Sequence, residues 1–402
     1  MVETRSDSSY VAKGASPART LGIRTLQSMS AGHFRYPNPR PSLCILKLRV
    51  SMPMLLQENI PLAPLTTLQV GGAARYFVEA ANEAHVREAV IWAKSRNLDV
   101  FILGGGSNLV VSDNGWLGLV LKIAIPGVEQ HAETHGRALF DVGAGESWDR
   151  FVSHAVSHNC AGIECMSGIP GSVGGTPVQN VGAYGQEASE TIRSVLALDL
   201  TNMQTRTLPA ADCGFSYRKS LFNSTQPGRY ILLRVTYALT PGGTPSIKYA
   251  DLKKHFSGWT GQPTLAQTRD AVKTIRASKA MLITPGDEDC RSAGSFFKNP
   301  ILSQAEYDNV ARIAAERNLH VPSYPMPSSE RKVSAAWLVE HSGFAKGYTS
   351  GPVGISRKHA LALVNRGGAT AEDIFDLKHD IEQRVREQWG IHLEAEPVFV
   401  GV

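Results

Sequence analysis

The stretch SGIPGSVGGTPVQNVGAYG, Ser167–Gly185, decides how this chain is read. It is too dense in glycine for a single turn. Glycine admits positive φ and lets backbone N–H groups come close to a phosphate. Ser172, Thr176, Gln179 and Asn180 add side-chain donors. Two shorter stretches of the same kind precede it, LGGGSNL (Leu103–Leu109) and VGAGE (Val142–Glu146). One such loop is as easily a strand connection as a binding loop. Three so close in sequence point to one extended ligand held by several loops. There is no GxGxxG between strand and helix with a following acid, and no GxxxxGK[ST]. The reading is a large diphosphate ligand bound outside the Rossmann and P-loop plans.

Around these loops the chain alternates strand and helix signals. Arg75–Val78, Val100–Leu103, Gly118–Ile123, Leu139–Val142, Ser194–Leu200 and Tyr230–Leu239 read as strands. Asn82 caps a helix whose apolar positions Val86, Ala89, Val90 and Ala93 share one face. Thr370 and Asp373 form a capping box before a stripe of Ile374, Leu377, Ile381 and Val385. The class is α+β with several short βα units and no internal repeat.

Composition narrows the function classes. The chain has 402 residues, 43% hydrophobic and 19% charged, which suits two or three globular domains. No apolar run reaches the ~18 residues that a membrane span needs. The net charge of +5 comes from residues 1–50, where eight Lys/Arg against two Asp/Glu give +6, leaving about −1 for the rest. The body therefore offers no basic field for nucleic acid. Residues 1–51 are Ser- and Arg-rich, broken by Pro37, Pro39 and Pro41, and show no secretory signal pattern. They fit a transit peptide or, preferably, translation from an upstream start with Met52 or Met54 as the working beginning; disorder is expected either way. The five cysteines (Cys44, Cys160, Cys165, Cys213 and Cys290) include no CxxC pair, so reduced thiols in a cytoplasmic protein are expected. His154 and His158, four apart on a helix, are too few for a metal site, and no metal is expected.

RSAGSFFKNP (Arg291–Pro300) reads differently from a packing strand or a surface loop. A serine sits between Gly294 and a Phe-Phe pair, with Lys298 next to it. It reads as a rigid mount for one hydroxyl, in which Gly294 permits tight approach and Phe296-Phe297 anchor the loop. The plain alternative is a capping serine before a strand.

Five blocks in this order carry a resemblance: LGGGSNLVVSD (103–113), IPGSVGGTPVQNVGAYGQE (169–187), FSYRKSLF (215–222), RSAGSFFKNP (291–300) and HLEAEPVFVG (392–401). Together they resemble the UDP-N-acetylenolpyruvoylglucosamine reductase family, in its long-loop subtype, over about 58–402. The resemblance implies a two-subdomain FAD-binding fold of the p-cresol methylhydroxylase/vanillyl-alcohol oxidase type plus a C-terminal α+β substrate-binding domain. The expected divisions are 58–125 and 126–275 for the FAD subdomains and 276–402 for the substrate domain. It also implies NADPH as electron donor and UDP-N-acetylglucosamine enolpyruvate as substrate. The first glycine loop carries no histidine or cysteine, so the flavin is expected to be non-covalent. A monomer is the working assumption.

The same resemblance implies roles. Hydride reaches the terminal enolpyruvyl carbon from reduced flavin, and the adjacent carbon takes a proton from Ser295. Arg218 holds the carboxylate of the charged intermediate, a task suited to a guanidinium fork. Glu396 orients a water or polarises that intermediate. Its competitor is Glu394, which a period-2 strand would put on the same face. Gly104, Gly105, Gly106, Ser107, Asn108, Gly168, Gly171, Ser172, Gly174, Gly175, Thr176, Gln179, Asn180 and Gly182 are the expected FAD contacts. Tyr184, Tyr249, Arg276, Lys279 and Asn299 are the expected substrate contacts, with solvated surface charge as the alternative for Arg276 and for Lys298.

The link Met281–Arg291 is longer and more acidic than the resemblance leads one to expect, and could alter the substrate loop. Cys290 within it reads as an exposed thiol. Two other readings remain: a different FAD-dependent oxidase or dehydrogenase on this scaffold, and a UDP-sugar binder that has lost its flavin. Intact Ser295, Arg218 and Glu396 speak against the second.

Overall fold

In the computed structural model, which describes residues 54–326 and 329–402, the strand and helix signals resolve into two sheets and a C-terminal α+β part. The leader and Cys44 lie outside the described residues.

The first sheet orders its strands Leu56–Pro61, Ala73–Ala80, Trp116–Ile123 and Val100–Leu103. The outer pair Leu56–Pro61/Ala73–Ala80 is antiparallel and the other pairings are parallel. The helix Glu83–Lys94 follows the second of these strands. Asn82 caps it, its side-chain oxygen accepting from the His85 N–H at 2.9 Å. Val86, Ala89, Val90 and Ala93 are all buried, as the periodicity requires.

The second sheet is antiparallel along Gln204–Pro209, Ile192–Asp199, Tyr230–Pro241, Arg137–Gly143 and Val128–Thr134. Several short βα units were expected. Instead, one strand–helix–strand run feeds the first sheet and hairpin-like links build the second. Parallel neighbours need a long crossover, which residues 128–143 and 192–209 are too closely spaced to supply. Trp148, Phe151, Tyr237 and Phe140 fill the core beneath this sheet.

The C-terminal part holds small three-stranded sheets and the helix Ala371–Trp389. Thr370 and Asp373 form the expected capping box, and Ile374, Leu377, Ile381 and Val385 are buried. Core packing crosses the expected divisions. Leu68, Val70 and Val110 join the C-terminal cluster, and Val398–Val400 pairs in parallel with Leu109–Val111. Among the described residues no helix is long and apolar enough to cross a membrane.

Replacing Thr370 with Ala removes the bond from the Asp373 N–H (3.1 Å) and the one its hydroxyl makes to the Asp373 carboxylate (2.6 Å). The expected loss is about 1 kcal/mol of stability in urea unfolding, with activity unchanged.

Candidate active site

A cavity of about 800 Å³ gathers residues from both sheets and from the C-terminal part. Its first wall is glycine. Gly104, Gly105, Gly106, Ser107 and Asn108 line it together with Gly171, Ser172, Gly174, Gly175, Thr176, Gln179 and Gly182. The loops abut so closely that a Cβ on Gly105 would sit 2.4 Å from the Gly171 Cα. A Cβ on Gly175 would meet only open space. The hydroxyl of Ser107 donates to the Pro170 carbonyl at 3.0 Å, which ties the first loop to the third.

The four polar residues of the third loop divide. The Ser172 hydroxyl is buried and has no partner among the described residues. Thr176 donates to the Val173 carbonyl and shares a hydrogen bond with Tyr237, while Gln179 accepts from the Asn108 amide at 2.8 Å. Asn180 is placed differently from the other three. It is 1% exposed, outside the lining, and bonded to Glu187, Ser216 and Ser189. Its side chain is spent shaping the loop. Gly168 also stands behind the wall, its N–H held by Asp149 at 2.6 Å. The second glycine stretch contributes only Ala144 to the lining; a Cβ on Gly145 would meet the backbone of Ala124.

The second wall carries Ser295, Arg218 and Glu396 together. Short antiparallel pairing holds two of them in register. Glu396 N–H donates to the Phe296 carbonyl at 2.8 Å, and Lys298 N–H to the Glu394 carbonyl at 2.9 Å. Phe296 and Phe297 are buried (0% and 1% exposed) and meet edge to face at 5.5 Å, so the mount expected from the sequence is present. Gly294 acts differently from expectation. A Cβ there would touch no protein atom; its φ of +77° is what requires glycine. The Ser295 hydroxyl has no hydrogen-bond partner among the described residues.

The Arg218 Nε lies 3.1 Å from Glu396 Oε1, an ionic contact without aligned hydrogen-bond geometry. Its terminal nitrogens donate to the carbonyls of Asn180 (3.4 Å) and Gly182 (3.1 Å). Arg218 also has φ +56°, a region costly for a residue that carries a Cβ, so its surroundings hold it there. Burial raises the Glu396 pKa, opposed by Arg218 and then Lys298. Glu394 takes the other side. Its side chain is 63% exposed and pairs with Lys298. The segment is not a regular strand at this point, which is why alternation did not put both acids on one face.

The third wall is aromatic and cationic. Tyr184 and Tyr249 meet edge to face at 5.4 Å, and Tyr249 is 46% exposed at the mouth. Lys279 pairs with Asp251 at 2.6 Å and lies 6.0 Å from the Tyr184 ring centre. Arg276 is not a surface charge. It is buried, its Nε has no partner, and burial pulls its pKa below the ordinary arginine value. Asn299 lies outside the lining, and its side-chain oxygen accepts from Ala335 N–H at 2.9 Å at a helix start.

Two findings had no signal in the sequence. Cys290 is buried, contrary to expectation, and its thiol donates to the Leu282 carbonyl at 3.0 Å. His359 lines the cavity, its Nδ1 accepting from Leu361 N–H at 2.9 Å, which leaves Nε2 to carry the ring proton. Burial first, then Lys279, Lys346 and Arg276, pull its pKa down to about 4. His154 and His158 meet at a tilt with ring centres 4.1 Å apart, and neither lines this cavity.

Against known proteins, residues 285–400 match the family model for the C-terminal domain of UDP-N-acetylenolpyruvoylglucosamine reductase, and residues 74–206 match an FAD binding domain. A reductase of that name from Streptomyces avermitilis is 44% identical over 351 residues, covering 86% of this chain and 95% of its own. Those from Thermobifida fusca and Mycobacterium tuberculosis are 43% and 40% identical, each over 86% of this chain and over 98% and 95% of their own.

The chain belongs to the UDP-N-acetylenolpyruvoylglucosamine reductase family. The crystal structure of the reductase from Thermus caldophilus aligns with a TM-score of 0.57 at 25% identity, over 86% of this chain and 99% of that one. An FAD-binding domain followed by the family's own C-terminal domain is the expected order, and it stands.

The residues present fit FAD. Gly175 opens onto the cavity without a side chain, and Ser172 offers a buried hydroxyl with no partner among the described residues. Gly105→Ala is expected to force the two glycine loops apart. The purified variant should lose most of its flavin absorbance per protein while far-ultraviolet circular dichroism stays the same.

Proposed function

We propose that this chain reduces UDP-N-acetylglucosamine enolpyruvate to UDP-N-acetylmuramate, a step of peptidoglycan precursor synthesis, with Ser295, Arg218 and Glu396 as its catalytic residues. Membership of the reductase family supports the reaction. The observation that carries the residue assignment is that all three line one cavity with the glycine loops. FAD bound by those loops supplies hydride chemistry, with NADPH as the reductant. Residues 58–125 and 126–275 are assigned to holding it and 276–402 to the UDP-sugar. The cytoplasm is the compartment we assign, in keeping with the free thiols of Cys160, Cys165, Cys213 and Cys290.

Arg218 binds the enolpyruvyl carboxylate and stabilises the negative charge that grows there during reduction. Its guanidinium is already oriented by two backbone carbonyls and by Glu396, so little reorganisation is needed when charge develops. Glu396, less acidic than usual because it is buried, stabilises that charge in its protonated form, donating its hydroxyl to the same carboxylate from beside the arginine. The Ser295 hydroxyl passes its proton to the carbon next to the carboxylate. A hydroxyl is a weak acid, so it works only where position and local field favour the transfer. Phe296, Phe297 and the pairing with residues 394–396 supply the position.

The UDP group is assigned to the third wall. Lys279 and Arg276 meet its charge, and Tyr184 and Tyr249 cover it. Asn299 would have to release Ala335 to join them.

Ser295→Ala should keep flavin reduction by NADPH intact and slow reoxidation by the UDP-sugar by about 10²-fold or more, read by anaerobic stopped flow. Reoxidation at the parent rate removes Ser295 from the mechanism. Glu396→Gln and Glu394→Gln differ by design. Turnover should fall at least ~10-fold in the first and little in the second. Equal losses would withdraw the assignment of Glu396.

A further inference from the structure

The acidic link Met281–Arg291 has a physical use. Asp287, Glu288 and Asp289 face the basic residues Arg357 and Lys358 of the loop that carries His359, and Arg366 just past the strand Leu363–Asn365 that follows it. Asp287 pairs with Lys358 at 2.5 Å, and Glu288 with Arg357 at 3.5 Å. Asp289 takes the centre. It is 1% exposed, and its Oδ2 accepts from Arg357 N–H at 3.2 Å and lies 3.4 Å from Arg357 Nε. Its Oδ1 lies 3.7 Å from Arg366 Nη1. A buried carboxylate persists only with such compensation, and losing one partner leaves the others uncompensated.

Both partners of this clasp border the cavity. Met281, Ile283 and Cys290 line it from the link and His359 from the opposite loop. The two segments are also tied by backbone. Asn365 N–H donates to the Arg291 carbonyl at 3.0 Å, and Arg291 Nε to the Asn365 carbonyl at 2.7 Å. Further along the loop, the Leu361 carbonyl accepts from Phe296 N–H, next to Ser295. His359 follows Arg357 and Lys358 directly, so the carboxylates that seize those two residues set where its imidazole begins. The imidazole then sits near Lys279 and Arg276, with its Nε2–H free of the Leu361 bond.

We propose that Asp289, at the centre of an ionic clasp with Arg357 and Arg366, is a positioning residue that aims the His359 imidazole into the cavity and so sets affinity for the UDP-sugar. The proposal rests on the UDP-sugar reading for its affinity arm and on geometry alone for its imidazole arm. The clasp acts on substrate binding and leaves hydride delivery by NADPH untouched. Asp287 is its outer, more exposed member and works in the same direction more weakly.

The experiment uses the full flavin-loaded enzyme. Asp289→Asn and, as the milder variant that keeps the buried centre, Asp287→Asn are compared with the parent. The same is done on a His359→Ala background. For Asp289→Asn we expect KM for the UDP-enolpyruvyl sugar to rise about tenfold, with kcat within about threefold and the NADPH half-reaction unchanged. Asp287→Asn should give a smaller rise. On the His359→Ala background neither substitution should add a comparable increment, the sign of residues that act as one unit. Nitrogen-15 spectra of the histidines should show the His359 Nε2–H tautomer in the parent and its loss or averaging in Asp289→Asn. If Asp289→Asn does not fold, Asp287→Asn alone decides by the same readouts. An unchanged imidazole signal, or a KM increase of equal size with and without His359, overturns the proposal. An altered imidazole signal with unchanged KM overturns the link to affinity, whereas a parent enzyme that does not turn over the UDP-enolpyruvyl sugar overturns the reading on which that link rests.

Discussion

One side-chain amide holds the site together. The Asn108 Nδ2 donates to Gln179 Oε1 at 2.8 Å and to the Glu396 carbonyl at 3.1 Å, and the Asn108 carbonyl accepts from Val398 N–H at 2.9 Å. A single residue of the first glycine loop thereby fixes the third glycine loop and the end of the chain. Through Glu396 it also fixes the pairing with Phe296 that carries Ser295. Polar bonds among partly buried groups are costly to leave unmade, so the amide enforces one arrangement rather than adding a small increment to stability.

The same economy appears in the charges. Cations line the cavity in excess, and several are restrained from within the protein. Arg218 faces Glu396, Lys279 faces Asp251 and Lys298 faces Glu394. Arg276 has no acidic partner among the described residues; it is buried, its Nη2 donates to the Met281 carbonyl at 2.5 Å, and its Nε is left unbonded there. A desolvated cation beside partly exposed pairs is an arrangement that awaits an anion, because an incoming diphosphate recovers interaction that burial has cost. His359, kept neutral by its buried setting and cationic neighbours, adds a donor without adding to the mutual repulsion.

Much of this was legible in the chain itself. The helix of Glu83–Lys94 and that of Ala371–Trp389 follow from caps and apolar spacing that act within a few residues. The Phe-Phe anchor followed from the oddity of two large apolar residues beside a glycine and a serine. What it hid shares another cause. The protein partners of the Asn180 amide, up to thirty-six positions away at Ser216, were invisible in the sequence. Cys290 looked exposed because its neighbours are acidic, while the thiol itself turns toward Leu282. The antiparallel order of the second sheet was hidden because strands advertise their own periodicity and not their neighbours.

By itself the sequence determined the local elements, the density of glycine needed for loops to touch, and the family to which the ordered motifs belong. These depend on backbone conformation and on short-range spacing, which the residues specify directly. Only the tertiary structure decided that Glu396 and not Glu394 meets Arg218, that Arg276 is buried, and that His359 enters the cavity. Each of those outcomes rests on contacts between segments far apart in the chain. Burial and electrostatic compensation exist only once such segments have met.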